Sequence, residues 1–300
     1  MKIIMLLLIN SRLSYREISN YLALSVNAIY KRVQTLIELN IIQKFTAKIN
    51  PYAANAIYTF IFGESKAQNM NLVTSKLGEH ENTYNILLSS RNHIYVGAHL
   101  KNIHELDDYS SFVSQEAEVQ SPTLGLLHGI FYYSPRRYIR PRSKNINMNL
   151  DKLDIEIIRS LHNDSRKPIS EVADDINSTS STVRRRLNRM IKEGLIELSI
   201  NFNPVSSNDI FTLLQISLIN PSNKDEMAQY FIDTYQPNIF FCWSFSNVPN
   251  FLLCYTWCNS MNELNNLIQK LKKEKVESII SDVLFKGLFY DTWKEKLLYE

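Results

Sequence analysis

Apolar residues along this chain follow a helical period in some stretches and a strand period in others. Apolar residues one helical turn apart predict a helix from Leu153 to Asn163, and a second helix is predicted from Ile169 to Ile176. A third is predicted from about Ser180 to Glu193, because a hydroxyl residue there caps a helix start and Gly194 provides a left-handed cap at its end. The next residues, LIELSINFNP, alternate in polarity and predict a short β-hairpin. This order of elements is that of a winged helix-turn-helix.

The pattern occurs twice. The segment SYREISNYLALSVNAIYKRVQTLIELNIIQ, from Ser14, matches the apolar positions of PISEVADDINSTSSTVRRRLNRMIKEGLIE, from Pro168, at a spacing of 154 residues. Farther along, LHGIFYYSP from Leu127 matches FKGLFYDTW from Phe285 at a spacing of 158 residues. In the first copy Asn40 replaces the glycine, and IIQKFTAKINP is the predicted wing. We interpret this as an internal duplication.

The residues after each predicted head have a mixed pattern. Both stretches predict the order β-α-β-β-α-β, with strands rich in aromatic and β-branched residues, as in the ferredoxin-like split β-α-β fold. The predicted fold class is therefore α+β, with two winged helix-turn-helix domains alternating with two ferredoxin-like (βαββαβ) domains. The predicted boundaries are 1–51 and 150–204 for the heads, 52–133 and 205–300 for the ferredoxin-like domains, and 134–149 for a linker. The opening MKIIMLLLIN is too short to span a bilayer and lacks a small-residue cleavage site, so a buried first helix is expected there.

The second head resembles that of the Lrp/AsnC, or feast/famine, family of transcriptional regulators. The resemblance lies in LDKLDIEIIRSLHNDSRKPISEVADDINSTSSTVRRRLNRMIKEGLIE, with acidic residues before the first helix, small and hydroxyl residues at the turn, and arginines on the third helix. It implies a cytoplasmic regulator that binds double-stranded DNA, with ferredoxin-like domains that mediate homo-oligomers and bind an amino-acid-like effector. Two features depart from the family. The pattern occurs twice in one chain, and the turns SSRNH and SNVPN lack the family's glycines, so the effector site is not carried over.

Positive charge is distributed unevenly for a chain with a net charge of +3. The first head and the linker each carry a net +5, the two ferredoxin-like domains carry −4 and −3, and the second head is neutral. Within the second head, however, the basic residues cluster on the third helix and the acids on the first two. Such placement suits neutralisation of DNA phosphates.

The third helix of each head supplies the predicted DNA contacts, because the N-terminal part of this helix enters the major groove. Arginine and asparagine can each bond to a base edge at two points. The predicted DNA-binding residues are Ser180, Ser181, Arg184, Arg185, Arg186, Asn188 and Arg189 in the second head, and Asn27, Tyr30, Lys31, Arg32 and Gln34 in the first. Val26 belongs to the same stretch of the first head. The alternative for both helices is that the basic residues form a solvated face without DNA contacts. For the first head a further alternative is contact with the DNA backbone only.

Other features leave alternatives open. The linker SPRRYIRPRSKN is either a basic tether or an arm that contacts DNA. Cys242, Cys254 and Cys258 fall on two adjacent predicted strands, but no fourth metal ligand is evident. The histidines lack zinc-site spacing, and no glycine-rich phosphate loop occurs, so neither a metal nor a cofactor is predicted. Aromatic residues on the last domain's strands could line a pocket or form core.

Two further functions compete with the regulator. Siroheme decarboxylases resemble these regulators in architecture but act on a tetrapyrrole, for which basic and histidine side chains would have to line the ferredoxin-like domains. The acidic charge of those domains disfavours this hypothesis, and the same distribution disfavours a pure protein-interaction scaffold. The sequence therefore predicts a DNA-binding regulator that is not an enzyme, with one chain imitating a dimer.

Overall fold

The computed structural model describes residues 1–132, 149–203 and 209–299. The chain forms two compact units. The head unit contains the described residues of 2–56, 134–203 and 291–300, and the sheet unit contains those of 57–133 and 204–290. The predicted linker, 134–149, lies outside the described residues except for Asn149.

The elements follow the predicted order closely. In chain order they are α1 Lys2–Ile9, α2 Tyr15–Leu22, α3 Val26–Glu38, β1 Ile42–Ile49, β2 Ile57–Glu64, α4 Met70–Glu79, β3 Thr83–Ser89, β4 His93–Leu100, α5 Glu105–Glu116, β5 Thr123–Tyr132, α6 Lys152–His162, α7 Ile169–Asp175, α8 Ser180–Lys192, β6 Ile196–Phe202, β7 Ile210–Leu218, α9 Lys224–Tyr235, β8 Ile239–Phe245, β9 Phe251–Cys258, α10 Met261–Leu271, β10 Val276–Phe289 and α11 Trp293–Lys296. Helix α1 is the buried helix expected from MKIIMLLLIN. The α+β class with winged helix-turn-helix and ferredoxin-like parts is confirmed.

Local capping chemistry sets the ends of the two third helices. The side chains of Ser25 and Thr179 accept hydrogen bonds from backbone N–H groups in the first turn of α3 and α8, which would otherwise lack partners. At the other end Gly194 has φ 69° and Asn40 has φ 54°, so both adopt the left-handed conformation predicted for them. The buried face of α8 consists of Val183, Leu187 and Met190.

The predicted wings are wrong in one respect. Neither is a hairpin, because β1 and β6 are single strands that pair antiparallel with each other, with Ile49 opposite Ile196 and Ile42 opposite Phe202. The alternating pattern identified each strand correctly. A hairpin also needs a tight turn inside the segment, and the segment has none of the glycine or Asn-Gly residues that favour one. Each strand therefore pairs with the strand of the other head.

The sheet unit is built on one closed sheet of eight strands. Their order is β10-β3-β4-β2-β5-β8-β9-β7, and β10 also pairs with β7. The strands β5 and β10 join the two predicted ferredoxin-like domains. The first part of β5 pairs with β2 and its last part with β8, while β10 pairs first with β7 and then with β3. Both crossings include a register shift next to the glycine of the repeated segments, Gly129 or Gly287.

Helices cover one face of this sheet and aromatic side chains fill the other. The helix-side clusters are mainly aliphatic, with Ile61, Val96 and Leu77 in one and Leu214 in the other. On the opposite face aromatic rings of the two ferredoxin-like parts pack against each other. Phe62 stacks on Phe251 with ring centroids 5.7 Å apart, and Phe60 meets Trp243 at a tilt with centroids 5.3 Å apart. These aromatic residues are therefore core side chains that join the two halves of the sheet.

Candidate nucleic-acid interface

The outer face of α8 exposes five of the predicted contact residues. They are Ser180, Ser181, Arg184, Arg185 and Asn188. Their side chains are exposed, whereas Val183, Leu187 and Met190 are buried, and the exposed set begins directly after the N-cap Thr179. Lys192, one turn beyond Asn188, is also exposed, and the helix contains no acidic residue. The face therefore combines hydrogen-bonding and positively charged groups in the helix turns that a helix-turn-helix inserts into the major groove.

Two of the predicted arginines have a different environment. Arg186 Nη1 lies 2.6 Å from a carboxylate oxygen of Asp151 and 3.0 Å from one of Asp154, and Arg189 also donates to Asp154. Asp154 is fully buried, and it forms a capping box with Asp151 at the start of α6. The hydrogen bond from Arg186 lowers the pKa of Asp151 from its ordinary value. These two arginines thus fasten α8 to the first helix of the head, and the acidic residues at the start of that helix, Asp151 and Asp154, have a structural function.

Helix α3 exposes a different set at the same positions. Its N-cap, Ser25, corresponds to Thr179, so the first residue of each helix is Val26 or Ser180 and the fifth is Tyr30 or Arg184. The predicted contact residues Asn27, Tyr30, Lys31 and Arg32 are exposed, and Gln34 is partly exposed. The ring of Tyr30 packs edge-on against Tyr15, with centroids 5.6 Å apart.

The two heads contact each other reciprocally. Helix α1 packs against β6, and α6 packs against β1. Where the heads meet, Ser11 Oγ and Ser165 Oγ lie 2.6 Å apart, and both side chains are buried. These serines are separated by 154 residues, which is the spacing of the sequence match.

Two arginines extend this reciprocity. Arg12 Nη1 donates to the carbonyl oxygens of Ser165 and Lys167, at 2.5 and 3.0 Å. Arg166 donates to those of Ser11, at 2.7 Å, and Leu13, at 2.6 Å. Each arginine thus bonds to the two residues that flank the other. The sequence comparison missed this set because it began at Ser14, although the same spacing pairs Ser11 with Ser165 and Arg12 with Arg166.

Arg166 also organises the aromatic residues of the first head. Its guanidinium carbon lies 4.9 Å from the ring centroid of Tyr15 and 4.8 Å from that of Phe45. Tyr15 in turn holds Tyr30 of α3, so a residue of the second head orients an exposed ring of the first.

The C-terminal residues complete the head unit. His162 lies between Ala47 and Asp291, with its Nδ1 3.0 Å from the carbonyl oxygen of Ala47 and its Nε2 2.9 Å from the carboxylate of Asp291. Burial alone would raise the pKa of Asp291, but the bond to His162 and the charge of Lys48 outweigh it and hold this pKa well below its ordinary value. The C-terminal segment therefore ties β1 to α6.

A buried carboxylate, Asp282, lies in the sheet unit. It accepts hydrogen bonds from Tyr95 Oη at 2.5 Å, from Gln215 Nε2 at 3.0 Å and from Arg91 Nη2 at 2.5 Å, and His93 Nδ1 is 3.2 Å away. Burial would raise the pKa of Asp282, yet the nearby His93 and the hydrogen bonds from Tyr95 and Arg91 hold it well below its ordinary value. Arg91 belongs to the turn SSRNH and has φ 61°. Through Arg91 this turn bonds to Asp282 of the same chain.

The three cysteines are core side chains of the sheet unit. All three cysteines are buried, and Cys242 lies opposite Cys254 in the β8–β9 pair with 3.0 Å between the sulfurs. Burial raises the pKa of the Cys258 thiol to about 11. Over residues 1–132, 149–203 and 209–299, no group of three or more His, Cys, Asp or Glu side chains could hold a metal ion. Nor, over the same ranges, is any helix both long and apolar enough to cross a membrane.

Residues 150–197 match a family model described as winged helix-turn-helix DNA-binding. The HTH-type transcriptional regulator FL11 of Pyrococcus furiosus is 32% identical over 114 residues, which are 37% of this chain and 76% of FL11. An uncharacterized HTH-type transcriptional regulator of Pyrococcus horikoshii, PH0140, is 45% identical over 56 residues, or 19% of this chain and 34% of that protein. The chain spans 34% of the length of PH0140 and 47% of the length of the P. furiosus regulator PF1734.

Among solved structures, the siroheme decarboxylase NirDL superposes with a TM-score of 0.62 at 11% identity. The match covers 99% of this chain and 95% of NirDL. At that identity the similarity concerns the fold, which the two chains share over nearly their whole length.

Proposed function

The chain belongs to the family of HTH-type transcriptional regulators, and on this premise we propose that it binds specific sequences of double-stranded DNA as a regulator of the Lrp/AsnC type. The observation that carries the proposal is that the arginines of α8 fall into two groups, one paired with acids and one exposed. Arg186 and Arg189 are paired with acids, whereas Arg184 and Arg185 are exposed beside Ser180, Ser181 and Asn188. An arginine with a purely structural role would pair with an acid, as Arg186 and Arg189 do. A helix face that only meets solvent would not need Asp154 to hold the helix in place. We assign base contacts to the exposed group and a positioning role to the braced pair.

We further propose that one chain acts as a pseudo-dimer derived from an internal duplication. The reciprocal bonds of Arg12 and Arg166, the Ser11–Ser165 contact and the β1–β6 pairing support this proposal, because two equivalent heads in a symmetric dimer make contacts of this kind. The two heads then present two third helices of different sequence. The preferred DNA site is accordingly asymmetric, and a palindrome selected as the best site would contradict the pseudo-dimer.

The first test is DNA binding by the purified full chain. Gel shifts with random-sequence duplexes, from about 50 to about 200 mM salt, should show binding that weakens steeply with salt because phosphate contacts release counterions. Sequencing of the bound fraction should yield an enriched motif. Absence of binding even at low salt would overturn the proposed function.

A second candidate is a tetrapyrrole enzyme like the siroheme decarboxylases, and the NirDL superposition is the observation that favours it. Against it, Arg91 and His93 in the sheet unit face the carboxylate of Asp282, and His99 packs between the rings of Tyr58 and Tyr84. A tetrapyrrole with carboxylate side chains needs cationic groups directed at the ligand. Titration with an iron-uroporphyrin, followed by its absorbance, tests this candidate. A saturable spectral shift at one equivalent would favour the enzyme.

A further inference from the structure

The outer face of α3 differs in chemistry from that of α8. At the first and fifth helical positions α8 has Ser180 and Arg184, whereas α3 has Val26 and Tyr30. Val26 is 45% exposed and Tyr30 is 48% exposed, so neither contributes to the core of the head. An aliphatic side chain and an aromatic ring thus occupy the positions from which a third helix contacts bases.

The surroundings of these two residues suit DNA. Lys31 and Arg32 follow Tyr30 directly and are exposed, and the single acid of the helix is Glu38 at its far end. The first head carries a net charge of +5. Such a face attracts a polyanion, and an apolar protein partner would gain nothing from the flanking cations.

Among DNA bases, thymine alone presents an apolar group in the major groove, its C5 methyl. Resting on the proposed DNA-binding function, we propose that Val26 and Tyr30 contact thymine methyl groups, so that α3 recognises a thymine-containing half-site while α8 recognises guanine. Asn27, between them in sequence, is exposed and can bond to the adenine of such A·T pairs. Tyr30 is suited to this contact because its ring is held by Tyr15, which itself packs against Arg166.

The test alters the DNA before the protein. The full chain first selects a DNA motif, and the variant Arg185→Ala is then used to assign the two half-sites of that motif. The half-site whose selection weakens in this variant is assigned to α8, and the remaining half-site is assigned to α3. Each thymine of either half-site is then replaced by deoxyuracil, which lacks only the methyl group. In the α3 half-site affinity should fall about fourfold per contacted methyl, since burying one such carbon contributes about 0.8 kcal/mol. Deoxyuracil in the α8 half-site should have a smaller effect.

Protein variants then locate the contact. The variant Val26→Ala with Tyr30→Ala should bind thymine and deoxyuracil sites equally. Leu39→Ala is the matched control, because Leu39 is 53% exposed at the opposite end of α3, and it should keep the fourfold preference for the methyl group. The graft Val26→Ser with Tyr30→Arg should shift the selected α3 half-site toward that of α8.

The outcomes distinguish failure of the proposed DNA-binding function from failure of the inference about thymine contacts. If no duplex binds, the proposed function fails and this inference fails with it. If a motif is enriched but deoxyuracil and thymine bind equally in the α3 half-site, the inference alone is wrong. The same conclusion follows if the graft leaves the selected half-site unchanged.

Discussion

Neighbouring arginines on one helix have separate roles because their partners differ. In the run Arg184-Arg185-Arg186 the last side chain turns toward the capping box of α6, and the first two remain exposed. A helix advances about 100° per residue, so three consecutive residues cannot share one face. The run therefore combines internal bracing by Arg186 with the DNA contacts that we propose for Arg184 and Arg185.

Substitution of these arginines should separate affinity from stability. Arg185→Ala should weaken DNA binding by about 1–3 kcal/mol and relax preference at one base, with the melting temperature unchanged. Arg186→Ala should instead lower the free energy of unfolding by about 1–3 kcal/mol, because the buried carboxylate of Asp154 loses a hydrogen-bond donor. Equal loss of affinity on all sequences would identify Arg185 as a phosphate contact.

The carboxylate of Asp282 should make the stability of the sheet unit dependent on acid pH. Its pKa is lowered in the folded chain, so its stabilising contribution is complete above the ordinary pKa of about 3.9 and is lost as the pH falls toward the folded value. Asp282→Asn should therefore destabilise the protein at neutral pH, and the difference from the wild type should shrink below about pH 4. Urea unfolding followed by tryptophan fluorescence at several pH values measures the free energy of unfolding of the wild type and of the variant. A difference independent of pH would show that the charge of Asp282 is not the cause.

At the scale of elements, β1 and β6 couple the heads. Each strand pairs with that of the other head, and Arg12 and Arg166 bond across the same interface. Strand pairing fixes direction and register, and the guanidinium bonds of both arginines to backbone carbonyl oxygens fix the loops before α2 and α7. The two third helices are thus held by one continuous set of contacts.

Arg166→Lys should loosen this coupling. Lysine keeps the charge but cannot bond to both carbonyl oxygens while packing on the rings of Tyr15 and Phe45. We expect the free energy of unfolding to fall by about 1–2 kcal/mol. The affinity for a complete site should fall more than that for an isolated half-site, in a comparison of both duplexes. Arg16→Lys, at an exposed position of the same head, should change neither quantity.

At the scale of the whole molecule, the proposed pseudo-dimer makes a geometric prediction about its DNA site. Two heads held together engage half-sites on one side of the duplex, and about 10–10.5 base pairs make one turn. Inserting about five base pairs between the half-sites turns one of them to the opposite side. Affinity should then drop to that of a single half-site, as measured by gel shift. Unchanged affinity would mean that only one head contacts bases.

The closed sheet is also a property of the whole chain. Each ferredoxin-like pattern predicts four strands, but it does not identify the neighbour of an edge strand. In the structure β5 and β10 each begin in one half and end in the other, and both start before the repeated segments at Leu127 and Phe285. Each strand of the closed sheet has a neighbour on both sides, so the two edges of each half are occupied within one chain.

Prediction from the sequence succeeded where the responsible forces act between residues close in the chain. Periodicity located the helices and strands, and capping rules located Gly194 and Asn40, because both depend on neighbours within a turn or two. The exposure of Arg184 and Arg185 follows from the same helical period. The choice of partners could not be predicted in this way, since a strand edge or a guanidinium can bond to any suitable group brought near it.

The elements, their order and the basic character of the third helices were therefore predictable from the sequence, because all of them arise from local periodicity and charge. Three features became evident from the folded chain alone: the predicted wings pair with each other, Arg186 and Arg189 brace α6, and Arg12 and Arg166 bond reciprocally between the heads. These contacts join residues more than 30 positions apart in the chain, in several cases about 150. Their partners are selected by the packing of the whole head unit, which brings distant groups within hydrogen-bond distance and excludes the water they would otherwise bond.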